Sequence, residues 1–563
     1  MKKKLMIMAG ASMMVAATLV SVAKTSSPKS DMLRNLSIFS DIYSEIQTNY
    51  VDTIDADKTM RRAIDVMLGQ IDPYTEYYNI DQTEDVTSIS SGQYAGVGSS
   101  ITKRSDGVVF SYPFWDSPAR RAGIRHGDII LEVNGDTITK DTQLKGVTTK
   151  LKGSPGTTAT VKVKRPGSVD SIQTFTITRE NIKIAPIPYS GYAGDGVGYI
   201  KIETFNEETA GDFNKALQAL LADSRVKGIV IDLRNNGGGV LEGAVKVASN
   251  FVPKGTEIVT TRYRGDEQTK VYKTTTSPLD LKIPLAILVD YGTASASEIL
   301  SGSLQDLDRA VIIGERTYGK GLVQSTRPIC YGGLLKLTVA RYYIPSGRLI
   351  QAIDYSKRDS SGRPTVIADS LTKEFKTANG RIVRDGGGIT PDVKVEQPEM
   401  NRLLYNLSAD MWVWDFSNRY ANNHPEAPDP DTWQVGDSIF NEFKSFVDPD
   451  KFKYDRAGEE GIKYLRDAAK VEGFDNDSVN AVIDRLEAMI KHDLNHDLDF
   501  NKKDIIELLD NELSDRYFSP ADCVKRAIRG NDLELREAKA VLNDTDRYNS
   551  LLSPKKDEKQ QNK

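Results

Sequence analysis

Ser295 and Lys320 are the residues of this chain whose types and placing suggest a reaction. Ser295 lies in the run Thr293-Ala294-Ser295-Ala296-Ser297-Glu298, between an apolar stretch of strand length at 284–290 and the helically spaced Ile299, Leu300 and Leu304. It therefore stands at or near a helix N-terminus, where free backbone N–H groups and the helix dipole favour negative charge. An oxyanion formed on a carbonyl attacked by its hydroxyl would be stabilised there. A plainer reading is also open, because Ser295 and Glu298 have the S-x-x-E spacing of a capping box.

A serine nucleophile needs a base, and the four histidines are His126, His424, His492 and His496. None lies between 194 and 400, which excludes a Ser-His-Asp triad inside that segment. The base on offer is Lys320, set between Gly319 and Gly321 after a second apolar run at 310–315. An ordinary lysine, of pKa about 10.4, is almost wholly charged at neutral pH. Burial would lower that toward ~7–8 and make the amine a usable general base. Gln324 could accept a hydrogen bond from it without adding charge. The alternative for Lys320 is a solvated surface charge.

Gly314, Gly319 and Lys320 also fit the phosphate-binding pattern G-x-x-x-x-G-K. Gly321 follows where Ser or Thr should hold Mg²⁺, and the next residues read as a strand instead of a helix, so nucleotide binding is disfavoured.

The elements that must position this pair alternate strand and helix over 193–400. Near-continuous apolar runs there suit strands covered on both faces. The glycine-rich turn at 232–239, Asp-Leu-Arg-Asn-Asn-Gly-Gly-Gly, is a second place where backbone N–H groups could point into a site. Asp232 and Arg234 within it are better read as strand-end hydrogen-bonding groups that shape the turn than as catalysts.

Taken together, Thr-Ala-Ser-Ala-Ser-Glu-Ile, Tyr-Gly-Lys-Gly-Leu-Val-Gln, the glycine turn, and the runs at 337–351 and 386–393 resemble the carboxyl-terminal processing peptidases, or tail-specific proteases. The resemblance covers roughly 38–395. It implies a Ser-Lys dyad of Ser295 and Lys320 supported by Gln324, and an oxyanion hole made by the amide of Ala296 and one near Gly237 or Gly238. It also implies an α/β peptidase core of the ClpP/crotonase-like type. Thr293, where the family often has Ser, and Gly237, where it often has Pro, are small departures that leave the dyad untouched.

Within 93–182, short strands and glycine turns include Ala-Arg-Arg-Ala-Gly-Ile-Arg-His-Gly-Asp-Ile-Ile, which looks like a PDZ domain. In PDZ domains the loop matching Tyr94, Ala95, Gly96, Val97 and Gly98 offers backbone N–H groups to a peptide's terminal carboxylate. Those glycines could equally be turn formers, and His126 reads as a turn residue.

The rest of the chain gives a multidomain α/β architecture. Residues 1–23 have three lysines followed by an apolar run at 5–22, the pattern of a signal peptide or membrane anchor. Either puts the body outside the cytoplasmic membrane, periplasmic and soluble or tied to the inner membrane. A helical N-terminal region at 30–90 suits scaffolding or dimer contact, with core packing as the alternative. The peptidase core spans 190–400, a helical C-terminal region 401–553, and a disordered tail 554–563. In the C-terminal region, 493–504 imitates a calcium loop, but Leu498 stands where glycine is needed.

With 563 residues, a net charge of −5 and 27% charged residues, nothing points to nucleic acid as a partner. Cys330 and Cys523 are too distant in sequence to suggest a disulfide, and no metal spacing exists. The expected function is an exported serine endopeptidase that cuts protein substrates near accessible C-termini, without metal or cofactor. A regulatory adaptor or a homo-oligomer is possible on this reading. A PDZ scaffold that binds C-terminal peptides without cutting them is the rival.

Overall fold

The computed structural model describes residues 28–83, 92–168, 171–265, 268–396, 401–490 and 493–554. The segment at 1–23 lies outside these, as does nearly all of the 554–563 tail. No described helix is long and apolar enough to cross a membrane.

The described residues form two compact units, the first comprising residues 28–78 together with 326–337. It holds α1 (Pro28–Asn49), α2 (Ala56–Gly69) and β1 (Glu76–Tyr78), which pairs antiparallel with residues 334–336. Asp55 caps α2 by accepting the Lys58 amide at 3.0 Å, as N-terminal aspartates do. Leu68 is buried, whereas Ile38 and Ile42 are exposed, so the core packing open to this region does not extend to them.

The second unit begins with a β-rich module. Its elements are β2 (Gln93–Gly96), β3 (Ser99–Arg104), β4 (Gly107–Pro113), α3 (Pro118–Ala122), β5 (Ile129–Val133), β6 (Asp136–Thr137), α4 (Leu144–Leu151), β7 (Thr158–Lys164), β8 (Ile172–Thr178) and β9 (Glu180–Lys183). The main sheet runs β3-β4-β5-β7-β8, leaving β3 at one edge, while β2 pairs with β9. Period-two alternation sends Ala159, Val161 and Val163 inward and Thr158 and Thr160 out. Helix α3 has all three of its local signals: Ser117 accepts the Arg120 amide, Pro118 opens it, and Gly123 at φ +103° ends it.

The next strands and helices are β10 (Tyr189–Tyr192), β11 (Val197–Lys201), α5 (Thr209–Ala222), β12 (Gly228–Asp232), α6 (Leu241–Ala248), β13 (Glu257–Tyr263), β14 (Thr269–Lys273), β15 (Leu285–Val289), α7 (Ala296–Asp306) and β16 (Val311–Gly314). They continue through β17 (Leu322–Pro328), β18 (Leu334–Tyr343), two small hairpins (β19, Ile353–Arg358, with β20, Pro364–Val366; β21, Glu374–Lys376, with β22, Ile382–Arg384) and β23 (Val393–Lys394). The central sheet has the order β10-β11-β12-β15-β16-β23 and is parallel from β11 onward.

Every residue of β15 is fully buried, as its unbroken apolar sequence requires. Ile229, Ile231, Leu285 and Ile287 meet Phe213, Leu217, Val247, Leu300 and Leu304 from α5, α6 and α7. Each such aliphatic side chain contributes roughly 1.5–3 kcal/mol when fully buried.

The alternate residues Val230, Ala286, Leu288, Val311 and Ile313 face the other way, against Leu535, Ala538 and Val541. These come from the ninth of ten C-terminal helices among the described residues: α8 (Arg402–Ala409), α9 (Trp412–Asn423), α10 (Asp437–Phe446), α11 (Ala457–Val471), α12 (Asp477–Met489), α13 (Leu494–Phe500), α14 (Lys502–Tyr517), α15 (Pro520–Arg529), α16 (Leu533–Asn543) and α17 (Thr545–Leu551). Helices α8 to α10 and α14 build their own aromatic core around Phe416, Phe443 and Leu509, while α16 and α17 close the sheet. Tyr548 even accepts the Leu285 amide, at 3.0 Å, where β15 begins. The acidic run at 493–504 forms α13 and the start of α14, with Leu498 of α13 fully buried.

Candidate active site

Ser295 occupies the turn between β15 and α7, with φ +57° and ψ −116°. Residues with a Cβ rarely adopt such a backbone, which costs on the order of 1–3 kcal/mol and persists only where the surroundings impose it. Here they do. Asn236, in the glycine turn after β12, accepts the Ala294 amide and the Ser297 hydroxyl on its backbone carbonyl, both at 3.0 Å. Thr293 is fully buried and ties the same turn to the Leu233 carbonyl at 2.9 Å and to Asp290 at 3.0 Å.

Glu298 lies in the first turn of α7, fully buried. Its Oε2 accepts the backbone amide of Ser295 at 2.9 Å and that of Lys320 at 3.0 Å. Its Oε1 accepts the Gly319 amide and the Thr317 hydroxyl, each at 2.6 Å. Burial raises the Glu298 pKa, and these donors pull against that rise without cancelling it. The carboxylate-to-amide half of the expected capping box is therefore present, and the same carboxylate also holds the lysine loop.

The lysine loop needs its glycines. Gly319 has φ +79° and Gly321 φ +64°, and a Cβ on them would lie 2.5 Å from Ala352 Cβ and 2.4 Å from Gln351 Cβ. Behind the loop, the Ile389 amide donates to the Thr317 hydroxyl at 2.7 Å, and the Gly388 backbone packs on Thr317. The runs at 337–351 and 386–393 are thus the wall against which the loop is pressed. Lys320 and Ser295 are both half-buried. Gln324 follows on β17, where its Nε2 donates to Thr338 Oγ1 on β18 at 3.1 Å, leaving its carbonyl oxygen as an acceptor. The strand expected after the glycine-lysine pair, in place of a phosphate-loop helix, is β17 itself.

The glycine turn separates Gly237 from Gly238. Gly238 is buried with φ +99°, and a Cβ on it would fall 2.7 Å from both Ala294 O and Ser295 Cβ and 2.8 Å from Ala296 N. Its amide donates to Asn236 Oδ1 at 2.9 Å. Gly237 is exposed, with open space where a side chain would go.

Asp232 and Arg234 serve packing. The buried Asp232 carboxylate accepts from Tyr199 at 2.5 Å and Arg234 at 2.7 Å, and Arg234 reaches on to Asp532 at 2.7 Å and Glu534 at 3.2 Å at the start of α16. Burial alone would raise the Asp232 pKa, but the Arg234 and Lys201 charges and its hydrogen bonds bring it down to about 2.

In the β-rich module the loop from Tyr94 to Gly98 directs the carbonyls of Val97 and Gly98 inward, to the amides of Ala119 at 2.8 Å and Phe114 at 3.0 Å. Because a trans peptide opposes its C=O and N–H, the Gly98 N–H points the other way. Gly98, at φ +78°, lies against Ser117, and Ala95 and Gly96 run in β2 beside β9. His126 is a buried imidazole more than a turn former, with 5% of its surface exposed. Among the described residues no group of three or more His, Cys, Asp or Glu could hold a metal.

Sequence reading missed the long reach of Glu298, along with Asn236, Thr317 and Thr338. Only Glu298 carried a signal, its capping-box spacing from Ser295.

Residues 196–356 match Peptidase family S41, 95–176 match a PDZ domain, and 403–542 match the C-terminal helical domain of probable PDZ-proteases. A carboxy-terminal-processing protease of Bartonella bacilliformis is 33% identical over 393 residues, which cover 69% of this chain and 82% of that one. A probable CtpA-like serine protease of Staphylococcus aureus is 31% identical over 451 residues, 78% of each chain. The solved photosystem II D1 C-terminal processing protease is 28% identical, with 64% of this chain and 86% of that one covered at a TM-score of 0.36.

The class is therefore a serine-type peptidase carrying a PDZ domain. The chain belongs to the S41 family of carboxy-terminal-processing proteases.

Proposed function

We propose that Ser295 is the nucleophile and Lys320 the general base of a Ser-Lys dyad that cuts proteins near their C-termini. The observation that carries this reading is the shared Glu298 Oε2, which fixes the backbones of both residues at one point. The neutral Lys320 amine takes the Ser295 hydroxyl proton as Oγ bonds to the scissile carbonyl carbon. The resulting oxyanion lies against the amides of Ala296, at the first position of α7, and Gly237. Gly238 serves as the spacer that lets the glycine turn approach Ser295. When the C–N bond breaks, the Lys320 ammonium returns its proton to the leaving amine. Water then attacks the acyl-enzyme, losing a proton to Lys320, and the carboxylic acid departs as Ser295 regains its own. Gln324, held by Thr338, orients the amine.

The PDZ domain binds the substrate's terminal carboxylate at the loop from Tyr94 to Gly98, with the peptide added as a strand along the edge of β3. The basic and apolar pattern at 1–23 supports export, with the body soluble in the periplasm or tethered to the inner membrane through 5–22. The test is cleavage of an unfolded reporter with an apolar free C-terminus by wild type and Ser295→Ala, and of the same reporter with a charged tail. Cleavage that requires Ser295 and falls with the charged tail is expected. Saturable binding of the reporter with no cleavage by wild type would return the scaffold reading.

A further inference from the structure

Where the PDZ domain meets the C-terminal helices there is a cavity of about 330 Å³, remote in sequence from the dyad; its lining residues Trp115 and Arg120 directly follow Phe114 and Ala119, which bond the loop at 94–98. Its PDZ side carries Arg120, Arg125 and His126; its helical side carries Asn418 of α9 and Arg516 of α14.

Two buried donors here are not used by the protein itself: Asn418 Nδ2 and Arg516 Nη2 have no hydrogen-bond partner. His126 Nε2 has none either, but burial keeps this ring neutral and its other nitrogen bonds the Ser111 backbone, so Nε2 is an acceptor and is not counted among the donors. Asn418 is 3% exposed and the Arg516 side chain 5%. Asn418 comes this close because residue 127 is glycine, whose Cβ would lie 2.6 Å from Asn418 Nδ2.

The two further arginines hydrogen-bond to neutral oxygens. Arg120 donates to the Arg516 backbone carbonyl at 2.7 Å and stacks on Trp115 at 4.2 Å. Arg125 reaches the Asn422 side-chain oxygen at 3.4 Å. Neither is paired with a carboxylate among the described residues, and burial lowers the pKa of both. The neighbouring acids are mostly occupied elsewhere: Asp128 is held by Arg165 at 2.7 and 2.8 Å and Glu512 by Arg516 Nη1, while Asp515 attracts Arg516 and Arg120 without an ion pair to either among the described residues.

Buried donors left unpaired cost about 1–3 kcal/mol each, so a cluster of them calls for an acceptor. Guanidinium forks match the two oxygens of a carboxylate. That group alone would leave most of the volume unfilled, and the remaining wall, with Trp115, Ala421 and Pro425, is largely apolar. We propose that this cavity binds a small carboxylate carried on an apolar group of about one residue's size, and that the bound anion clamps the PDZ domain to the C-terminal helices through Arg125 and Arg516.

The test is calorimetric titration of the full chain with N-acetyl-L-phenylalanine, its amide, and inorganic phosphate. Saturable binding of the acid is expected, with the amide and phosphate each at least about tenfold weaker. Arg125→Gln should weaken the acid by about tenfold or more. Ala421→Phe keeps every charge and fills the cavity, so it should abolish binding even if the arginine variant fails to fold. Equal binding of acid and amide, no binding of either, or tighter binding of phosphate overturns the proposal. Full binding retained by a folded Ala421→Phe chain also overturns it, because the ligand then sits elsewhere, for instance in the PDZ groove.

Discussion

The backbone amides of Ser295 and Lys320 donate to one and the same oxygen, Glu298 Oε2, at 2.9 and 3.0 Å. Two loops from opposite ends of α7 and β16 are thereby registered through a single buried carboxylate. In Glu298→Gln an NH₂ group replaces one acceptor oxygen, so whichever way the amide turns, donors face donors. Displacements well under 1 Å at a dyad matter, and a loss of about 100-fold in kcat is expected. KM should change by no more than about threefold, because Glu298 does not touch substrate. A variant that lost stability alone would show normal kcat per folded molecule, which is the outcome that sinks the positioning role.

The glycine turn makes a sharper contrast. Gly238→Ala puts a methyl group 2.7 Å from Ala294 O and Ser295 Cβ, at φ +99°. Ser295 has to shift, so activity should fall by at least about 100-fold and stability by roughly 1–3 kcal/mol. Gly237→Ala adds its methyl to open space, and its melting temperature should stay near wild type. Comparing denaturant midpoints and kcat/KM for the two checks this, and equal effects would contradict the different placing of the two glycines.

What was legible in the sequence was local. The apolar run at 285–289, the serine at a helix start and the glycine-flanked lysine each follow from a few neighbouring residues. The capping-box spacing led to Glu298 but only to its nearest bond; its bonds to Thr317, Gly319 and Lys320 cross from α7 to a loop after another strand. The second cover of the sheet was invisible for a related reason. Leu535 and Ala538 lie more than two hundred residues beyond Val311 and Ile313, and a helical stripe does not declare which sheet it will meet. His126 was legible as part of a turn, whereas its burial depends on α9 and α14, elements no local pattern connects to it.

Gln324 tests how the amine is held. Its Nε2 is fixed by Thr338 Oγ1 at 3.1 Å, so Thr338→Val should free the amide while leaving every dyad residue in place. Losing one such hydrogen bond is worth about 1 kcal/mol, or about five- to tenfold in rate. Gln324→Ala should cost at least as much, and the double variant no more than Gln324→Ala alone. Steady-state kinetics of the three variants decides it; additive losses would mean that Thr338 acts by some other route.

Asp232 ties stability to pH. Its pKa in the folded chain is about 2, against about 3.9 for an unfolded aspartate. A depressed carboxylate contributes stability that is fully present above the unfolded value and is lost as pH falls through the folded one. The window therefore runs from about pH 4 down to about 2, and the amount at stake is about 2.5 kcal/mol. Because Arg234 carries the Asp232 charge on to Asp532 and Glu534, the region released should be α16 on the outer face of the sheet. Denaturant unfolding followed from pH 6 to pH 2.5 should show a steeper acid loss for wild type than for Asp232→Asn, which has no proton to take up there. The variant should also be less stable at pH 6, by roughly 1–3 kcal/mol, since Arg234 keeps Asp532 and Glu534 but loses one of its two shortest ion pairs. Parallel acid profiles for the two proteins would show that the Asp232 carboxylate does not set the acid limit.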